Sequence, residues 1–428
     1  MIKRAVFGLL LLSVAISGCE GTGDSNQAKQ DSVVVWHWLT DREDVFNELA
    51  TKYTQATGID VKFELYAPSD IYSQRVRGAA HTSTLPDIYG ILSGMRDFAS
   101  FIKAGHVLNL TPYMNEEGGS WKSKFFNKVL AVNEFKSQNE FGIEPGIYGV
   151  PLDMMSIQML YNKDLFKKAG LDPEQPPKNW KEFLEVGNKL HAAGIQGLVS
   201  GWGEAWLLGC FAYDYAFNIM GEDKLVATLK GEVPYTDPDW VKVLSLFEDM
   251  RDNNLLASGV VTMVNKVAEQ SFANERAAFA FNGSWCVNVY HGMNPDLRYG
   301  VMLPPAYSNQ YPMKILGGAG GSFIVNSKSP RSEKAIEFLK WFTAKTQQAY
   351  LAEKTHNLPA NKESLSVISP ILSQFADDME NTYHWNSLPI VENPQVTEMF
   401  NKGIQAIIID EKRPQEVAAE VQALKERL

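Results

Sequence analysis

Val33 to Trp38 (VVVWHW) is a short run of β-branched and aromatic residues, the composition of a buried strand. Asp41 then opens a helical pattern in which Val45, Phe46, Leu49 and Tyr53 recur at three- and four-residue spacing as far as Gly58. The chain restarts at Ile59 to Tyr66 (IDVKFELY) with the alternation of a strand. A further helical stretch, Tyr72 to Ala80, leads through Pro86 and Asp87 into the apolar Ile88 to Leu92, so the strand–helix–strand unit repeats. This alternation predicts an α/β fold with a largely parallel sheet covered on both faces. The loops at the strands' carboxyl ends are then free to bind a ligand.

Past Gly149 and Pro151 the pattern changes, and a second lobe is expected to begin. A strand-like Ile157 to Tyr161 is followed by long helical stretches, among them Trp180 to Ala193 and Trp240 to Asn253. Another strand-like run, Gly321 to Asn326 (GSFIVN), precedes a helix over Ser332 to Phe342 with Ile336, Leu339 and Trp341/Phe342 on one side. Val396 to Leu428 reads as two amphipathic helices, with Pro414 in the first turn of the second.

The amino terminus changes the picture from a plain globular chain to an exported one. Lys3 and Arg4, the apolar Val6 to Ile16 and the small Ser17 and Gly18 lead to Cys19, and LSVAISGC resembles a bacterial lipobox. The apolar part is too short to span a bilayer and fits a cleaved secretory segment. Cys19 would become a lipidated first residue, and the polar Glu20 to Asp31 a flexible tether to the membrane. Removing residues 1–18 with their two basic side chains takes the formal charge from -10 to about -12, which excludes a nucleic-acid binder by charge. At roughly 150 residues per domain the remainder makes two or three lobes. Cys210 and Cys286 offer no disulfide framework or zinc spacing and are expected as buried free thiols.

Seven segments then fall in an order that resembles one family. Ile147 to Leu171 (IYGVPLDMMSIQMLYNKDLFKKAGL) is the most specific, followed by Pro176, Pro177 and Trp180. The others are TGIDV (Thr57 to Val61), PDIYG (Pro86 to Gly90), AGHVLNLTPYM (Ala104 to Met114) and FANERAAFAFNGSW (Phe272 to Trp285). GGAGGSFIVNSKSPRSEKAIEFLKW (Gly317 to Trp341) and NLPANKE (Asn357 to Glu363) complete the series. Together they resemble the family 1 extracellular solute-binding proteins of carbohydrate-type ABC importers, the group that includes maltose-binding protein. The resemblance implies a two-lobed periplasmic-binding-protein-like fold of type II, with the ligand cleft between hinged lobes. It places the first lobe at 31–149 plus 301–346 and the second at 150–300 plus 347–428, with crossings near Gly149 to Pro151, Gly300 and Thr346. It also implies a monomer without a cofactor that takes a sugar or oligosaccharide and delivers it to ABC permease subunits in the membrane.

A sugar presents apolar C–H faces ringed by hydroxyls, so its site needs aromatic platforms with carboxylates, amides and backbone groups around them. Ten Trp and sixteen Tyr supply the platforms. Trp38, at the end of the first strand, and Asp41, just beyond it, occupy the crevice position. Glu64 and Tyr66 close the second strand and are expected on opposite faces, so that at most one faces the cleft. The resemblance adds Tyr89 after Asp87, and Met155 within the Met154 to Ser156 contact region. In GWGEAW, Trp202 and Trp206 flank Glu204, giving a stacking surface and a hydroxyl acceptor, or else two core indoles. Trp285 in NGSW matches a tryptophan that stacks on sugar rings in relatives. Gly317 and Gly318 let backbone N–H groups approach closely, and Trp385 in HWNSLP is a further platform. No basic cluster accompanies these residues, which favours a neutral or cationic ligand, although Lys163 and Arg298 stand near the expected cleft edges.

The alternative is a surface-anchored glycoside hydrolase or lyase, which needs two carboxylates across one scissile bond. No pair is singled out, and no GxSxG, HExxH, Walker-type or strand-linked GxGxxG motif is present. His37, His81, His106 and His191 fall in separate elements and do not outline a metal site.

Overall fold

The computed structural model describes residues 32–428, apart from Pro68, Ser93 and the side chains of Ser69 and Asp70. The expected export signal, Cys19 and the tether up to residue 30 lie outside the described residues. No helix among the described residues is long and apolar enough to cross a membrane.

The first part of the chain supplies strands β1 (Val33–His37), β2 (Val61–Leu65), β3 (Ile88–Tyr89) and β4 (Val150–Pro151). It then runs into β5 (Asp153–Asn162), β6 (Gln196–Val199), β7 (Ala277–Gly283), β8 (Tyr299–Met302), β9 (Ile315–Ala319), β10 (Ser322–Val325), β11 (Leu358–Pro359) and β12 (Thr382–Tyr383). One sheet has the order β2-β1-β3-β10-β4, and the other β12-β9-β5-β7-β6, with β8 and β11 also paired to β5. Both are mixed rather than largely parallel. β1 runs parallel to β2 and β3, but β10 is antiparallel to β3 and β4, and β5 is antiparallel to β7, β8, β9 and β11.

The helix Glu43–Thr57 forms where the spacing places it. Val45, Phe46, Leu49, Ala50 and Tyr53 make its buried stripe, and Gly58 ends it at φ 74°, donating its N–H to the Thr54 carbonyl. That left-handed position disfavours a Cβ, so Gly58→Ala is expected to cost about 1–2 kcal/mol in urea denaturation. The stripe packs with Val33, Val35, Phe63, Phe323 and Phe342 into the first core. Cys210 and Cys286 are buried and unbridged, and burial pushes both thiols well above their usual pKa.

The second and third crossings lie elsewhere than expected. β8 pairs with β5, Gly300 opposite Tyr161, so the second sheet continues past Gly300 to Ala319 and the chain crosses at Gly320–Gly321. Lys345–Thr355 still buries Leu351 in the first core, so the return crossing lies not at Thr346 but between Thr355 and Leu358, where β11 joins β5. All three crossings meet at Asp153. Its backbone carbonyl accepts from Gly320 (3.1 Å), its Oδ1 from the Gly321 N–H (2.7 Å), and Pro359 pairs with it across the strands. Its Oδ2 forms a buried ion pair with Arg42 Nη2 at 2.7 Å, reaching back to the residues that follow β1.

Candidate solute-binding cleft

The strand ends of the first sheet and the 384–391 segment of the second enclose a cavity of about 350 Å3. Trp38 follows β1 and enters its wall, held on the protein side by two neighbours. A Cβ on Gly90 would lie 2.3 Å from the indole, so only glycine admits the ring there. Tyr72 packs at 5.1 Å from the same ring, and its hydroxyl donates to the Gly90 carbonyl and accepts from the Gly90 N–H. Asn133 lines the cavity and donates to Ser322 Oγ at 2.8 Å, tying the edge of β10 to the wall.

From the second sheet come His384, Trp385 and Asn386, in the turn after β12. The Asn386 N–H donates to His384 Nδ1 at 3.1 Å, so a neutral imidazole carries its proton on Nε2. Burial lowers the His384 pKa to about 4, leaving the ring neutral near pH 7. Trp385 packs edge-on against Tyr213 at 4.5 Å and Tyr383 at 5.3 Å. Trp385 and Val391 also line a second compartment of about 510 Å3, entered by Glu204 and by Trp206, whose side chain is 43 % exposed. Trp206 is set outward by Ala205, a non-glycine residue at φ 63° that breaks the helical path between the two tryptophans of GWGEAW.

Four of the expected residues therefore line the two compartments: Trp38, Trp385, Glu204 and Trp206. Glu204 also accepts from the Asn265 N–H at 2.8 Å and from Trp206 Nε1 at 3.3 Å. Trp202 does not, because its indole is fully buried between Phe211 and Phe247. Tyr89 is likewise buried in the first lobe, donating its hydroxyl to the His106 carbonyl. Glu64 and Tyr66 share one face rather than two, as residues two apart on a strand must. Glu64 accepts from the Tyr66 hydroxyl at 2.8 Å and from Trp36 Nε1 at 3.0 Å, with the Arg75 guanidinium over both aromatic rings. Burial alone would raise the Glu64 carboxyl pKa; hydrogen bonds from Lys62, Tyr66 and Trp36 outweigh it and lower it.

Asp41 is exposed and lies 3.5 Å from Arg42, and Met155 is half-buried on β5 opposite Gly318; neither lines the two compartments. Trp285 lines neither, but its ring lies 6.0 Å from that of Trp206 and packs on the second-sheet core. Gly317 and Gly318 make close approaches to protein rather than to open space: Thr382 and Val132 lie where a Cβ would go. Of that run it is Gly320 and Gly321 that line the wall, with Gly94 from the first lobe. Lys163 and Arg298 stand at a different cavity, paired with Glu174 and Asp164. Among the described residues no lysine or arginine lines either compartment.

Two sheets joined by three crossings, with a cavity between them, define a two-lobed solute-binding fold. The chain belongs to the bacterial extracellular solute-binding protein family, whose pattern matches residues 38–349. It is 23% identical over 360 residues to the multiple sugar-binding protein of Streptococcus mutans, covering 81% of this chain and 80% of that one. It is also 26% identical over 241 residues to the sn-glycerol-3-phosphate-binding periplasmic protein of Escherichia coli, covering 55% of this chain and 53% of that one. Among solved structures, a chitin oligosaccharide binding protein superposes with a TM-score of 0.75 at 23% identity, covering 92% of this chain and 98% of that one. The family is one of solute-binding proteins, and the glycosidase alternative gives way to it.

Proposed function

We propose that the cleft captures an uncharged saccharide outside the cytoplasm and presents it to the permease of an ABC importer. The observation that carries this reading is the meeting of two indoles from different lobes, Trp38 and Trp385, in one cavity edged by Asn133, Ser322 and Asn386. Aromatic faces stack on sugar C–H groups while amides and hydroxyls meet the ring hydroxyls. The absence of any lysine or arginine from the lining, among the described residues, argues against a phosphate or a uronate, which separates this cleft from the glycerophosphate named for one relative. The sugar-binding function named for the Streptococcus mutans relative supports the saccharide class. Closure of the lobes about the crossings at Asp153 would bury the solute, and the ligand shifts that equilibrium only by its differential affinity for the closed state. Lipidation at Cys19 would hold the protein beside its permease.

The test is a titration of residues 31–428 with mono- and oligosaccharides, uronates, polyols and glycerophosphate, followed by tryptophan fluorescence and melting temperature. One neutral saccharide class is expected to saturate both signals and to be recovered intact. Trp385→Ala is expected to weaken that binding by about 2 kcal/mol, roughly thirtyfold, as for a central aromatic anchor. Silence from every neutral saccharide would remove the assignment.

A further inference from the structure

His356 and Asn357 alone carry the chain over the third crossing, from the helix Lys345–Thr355 on the first lobe to β11 on the second sheet. His356 stands at φ 47°, a left-handed conformation that costs a non-glycine residue free energy and persists only where its surroundings hold it. What meets its ring is His291, near the end of the second-lobe helix Cys286–Met293, at 4.9 Å between ring centres. Neither imidazole makes a hydrogen bond among the described residues. The two rings line a cavity of about 390 Å3 together with Lys163, Arg298, Tyr299 and Ser369, and no carboxylate is among its walls. Lys163 is paired with Glu174 and Arg298 with Asp164, Glu275 adds to the field at Arg298, and burial keeps the Tyr299 hydroxyl protonated. On the helix that precedes His356, Glu353 and Lys354 are exposed. Burial first, and the His291 ring second, lower the His356 pKa. A proton on each ring would put two positive charges side by side without a counter-charge in the cavity.

We propose that the His291–His356 pair is a proton-operated catch on the third crossing: neutral rings hold the crossing against the second lobe and favour retention of the solute, and protonation of both drives them apart and releases it. The sign follows from the arrangement of the lobes. The rings pair in a structure whose lobes meet across the cleft, with Asn386 Oδ1 of the second lobe 4.0 Å from where a Cβ on Gly94 of the first would stand. An arrangement with the rings apart binds protons more readily, so a falling pH shifts the protein towards it and away from the form that grips the solute. The link to solute retention rests on the reading of the interlobe cavity as the binding site.

The test is calorimetry at pH 7.5 and pH 5 with whichever saccharide binds residues 31–428. This window stays above the range near 4 in which His37 and His384 take up protons. The wild-type Kd is expected to rise at least about fivefold at the lower pH. In His291→Gln, an exposed position, the change should shrink to less than about twofold. It should shrink equally in His356→Asn, an uncharged residue that tolerates the left-handed backbone and does not depend on the first variant folding. In proton NMR the His356 ring of His291→Gln is expected to titrate at a higher pH than in the wild type. A wild-type Kd that changes less than about twofold, or a change that both variants keep, would overturn the catch and leave the saccharide reading standing. If no saccharide binds at either pH, that reading falls and small-angle scattering of the ligand-free protein decides the catch. A radius of gyration that grows from pH 7.5 to pH 5 in the wild type and not in His291→Gln supports it, and one that stays the same, or grows equally in both, overturns it.

Discussion

Asp153→Ala is expected to cost about 3–5 kcal/mol of stability, because it leaves the buried Arg42 guanidinium without its counter-charge. Both side chains are nearly excluded from solvent, Arg42 Nη1 already lacks a partner, and the other carboxylate near the guanidinium, the exposed Asp41, stands at 3.5 Å, so the 2.7 Å pair with Asp153 is the main compensation for that charge. The same carboxylate accepts from the Gly321 N–H, so its loss also frees a backbone donor at the second crossing. The double variant Asp153→Ala/Arg42→Met is expected to recover much of the loss, since removing both charges removes the uncompensated desolvation. Urea denaturation of the wild type and the two variants measures this. A single-variant loss under about 1 kcal/mol would show that water or another group reaches the Arg42 charge.

The second large effect is in pH. His37 is fully buried between Phe46 and Phe63, at 5.1 and 5.7 Å, and neither ring nitrogen has a well-formed hydrogen bond. Burial lowers its pKa to about 4, against smaller upward pulls from the Leu39 backbone and Asp41. Between pH 6.5 and 4 the unfolded chain therefore binds a proton that the folded chain refuses. Stability from this group is complete above about 6.5 and is lost as the pH falls towards 4, by about 3 kcal/mol in all. His384, also lowered to about 4, acts in the same direction. Asp214 acts in the opposite one: burial raises its carboxyl pKa well above the usual range, outweighing Tyr383 and the Leu316 backbone, so the folded state gains relative stability as the pH falls. A difference measurement separates them. His37→Phe, similar in shape, is expected to match or exceed the wild type at pH 7 and to lose about 2 kcal/mol less between pH 7 and 5. Parallel losses in urea midpoints for the two proteins would mean that His37 titrates normally.

Local patterning carried the elements and stopped at their partners. The β-branched run at Val33, the stripe through Phe46 and the stop at Gly58 are each decided by neighbours within a few residues, and the structure follows them. The second crossing was not legible in this way: nothing local to Gly300 says that its strand pairs with Tyr161, more than a hundred residues earlier. At the cleft, Trp38 and Trp385 could be found from a strand end and a lone aromatic in a polar turn. Trp202 and Trp206 could not be separated, because the backbone turn at Ala205 that sends one inward and the other outward has no residue-type signature. The two glycine pairs of GGAGGS are alike as sequence, and only their depth along the crossing strand distinguishes packing against Thr382 from opening onto the cleft. Glu64 and Tyr66 yield to a simpler rule, the two-residue period of a strand.

The position of β10 has a consequence in time. It lies between β3 and β4 in the first sheet, yet its residues are made more than 170 positions after those of β4. Until about residue 325 has been synthesised, β3 keeps an open edge and β4 lacks its neighbour, so the amino-terminal half has no complete sheet in which to settle. Pairing of such high sequence separation forms late. A ribosome thus extrudes most of this chain before its first lobe can close.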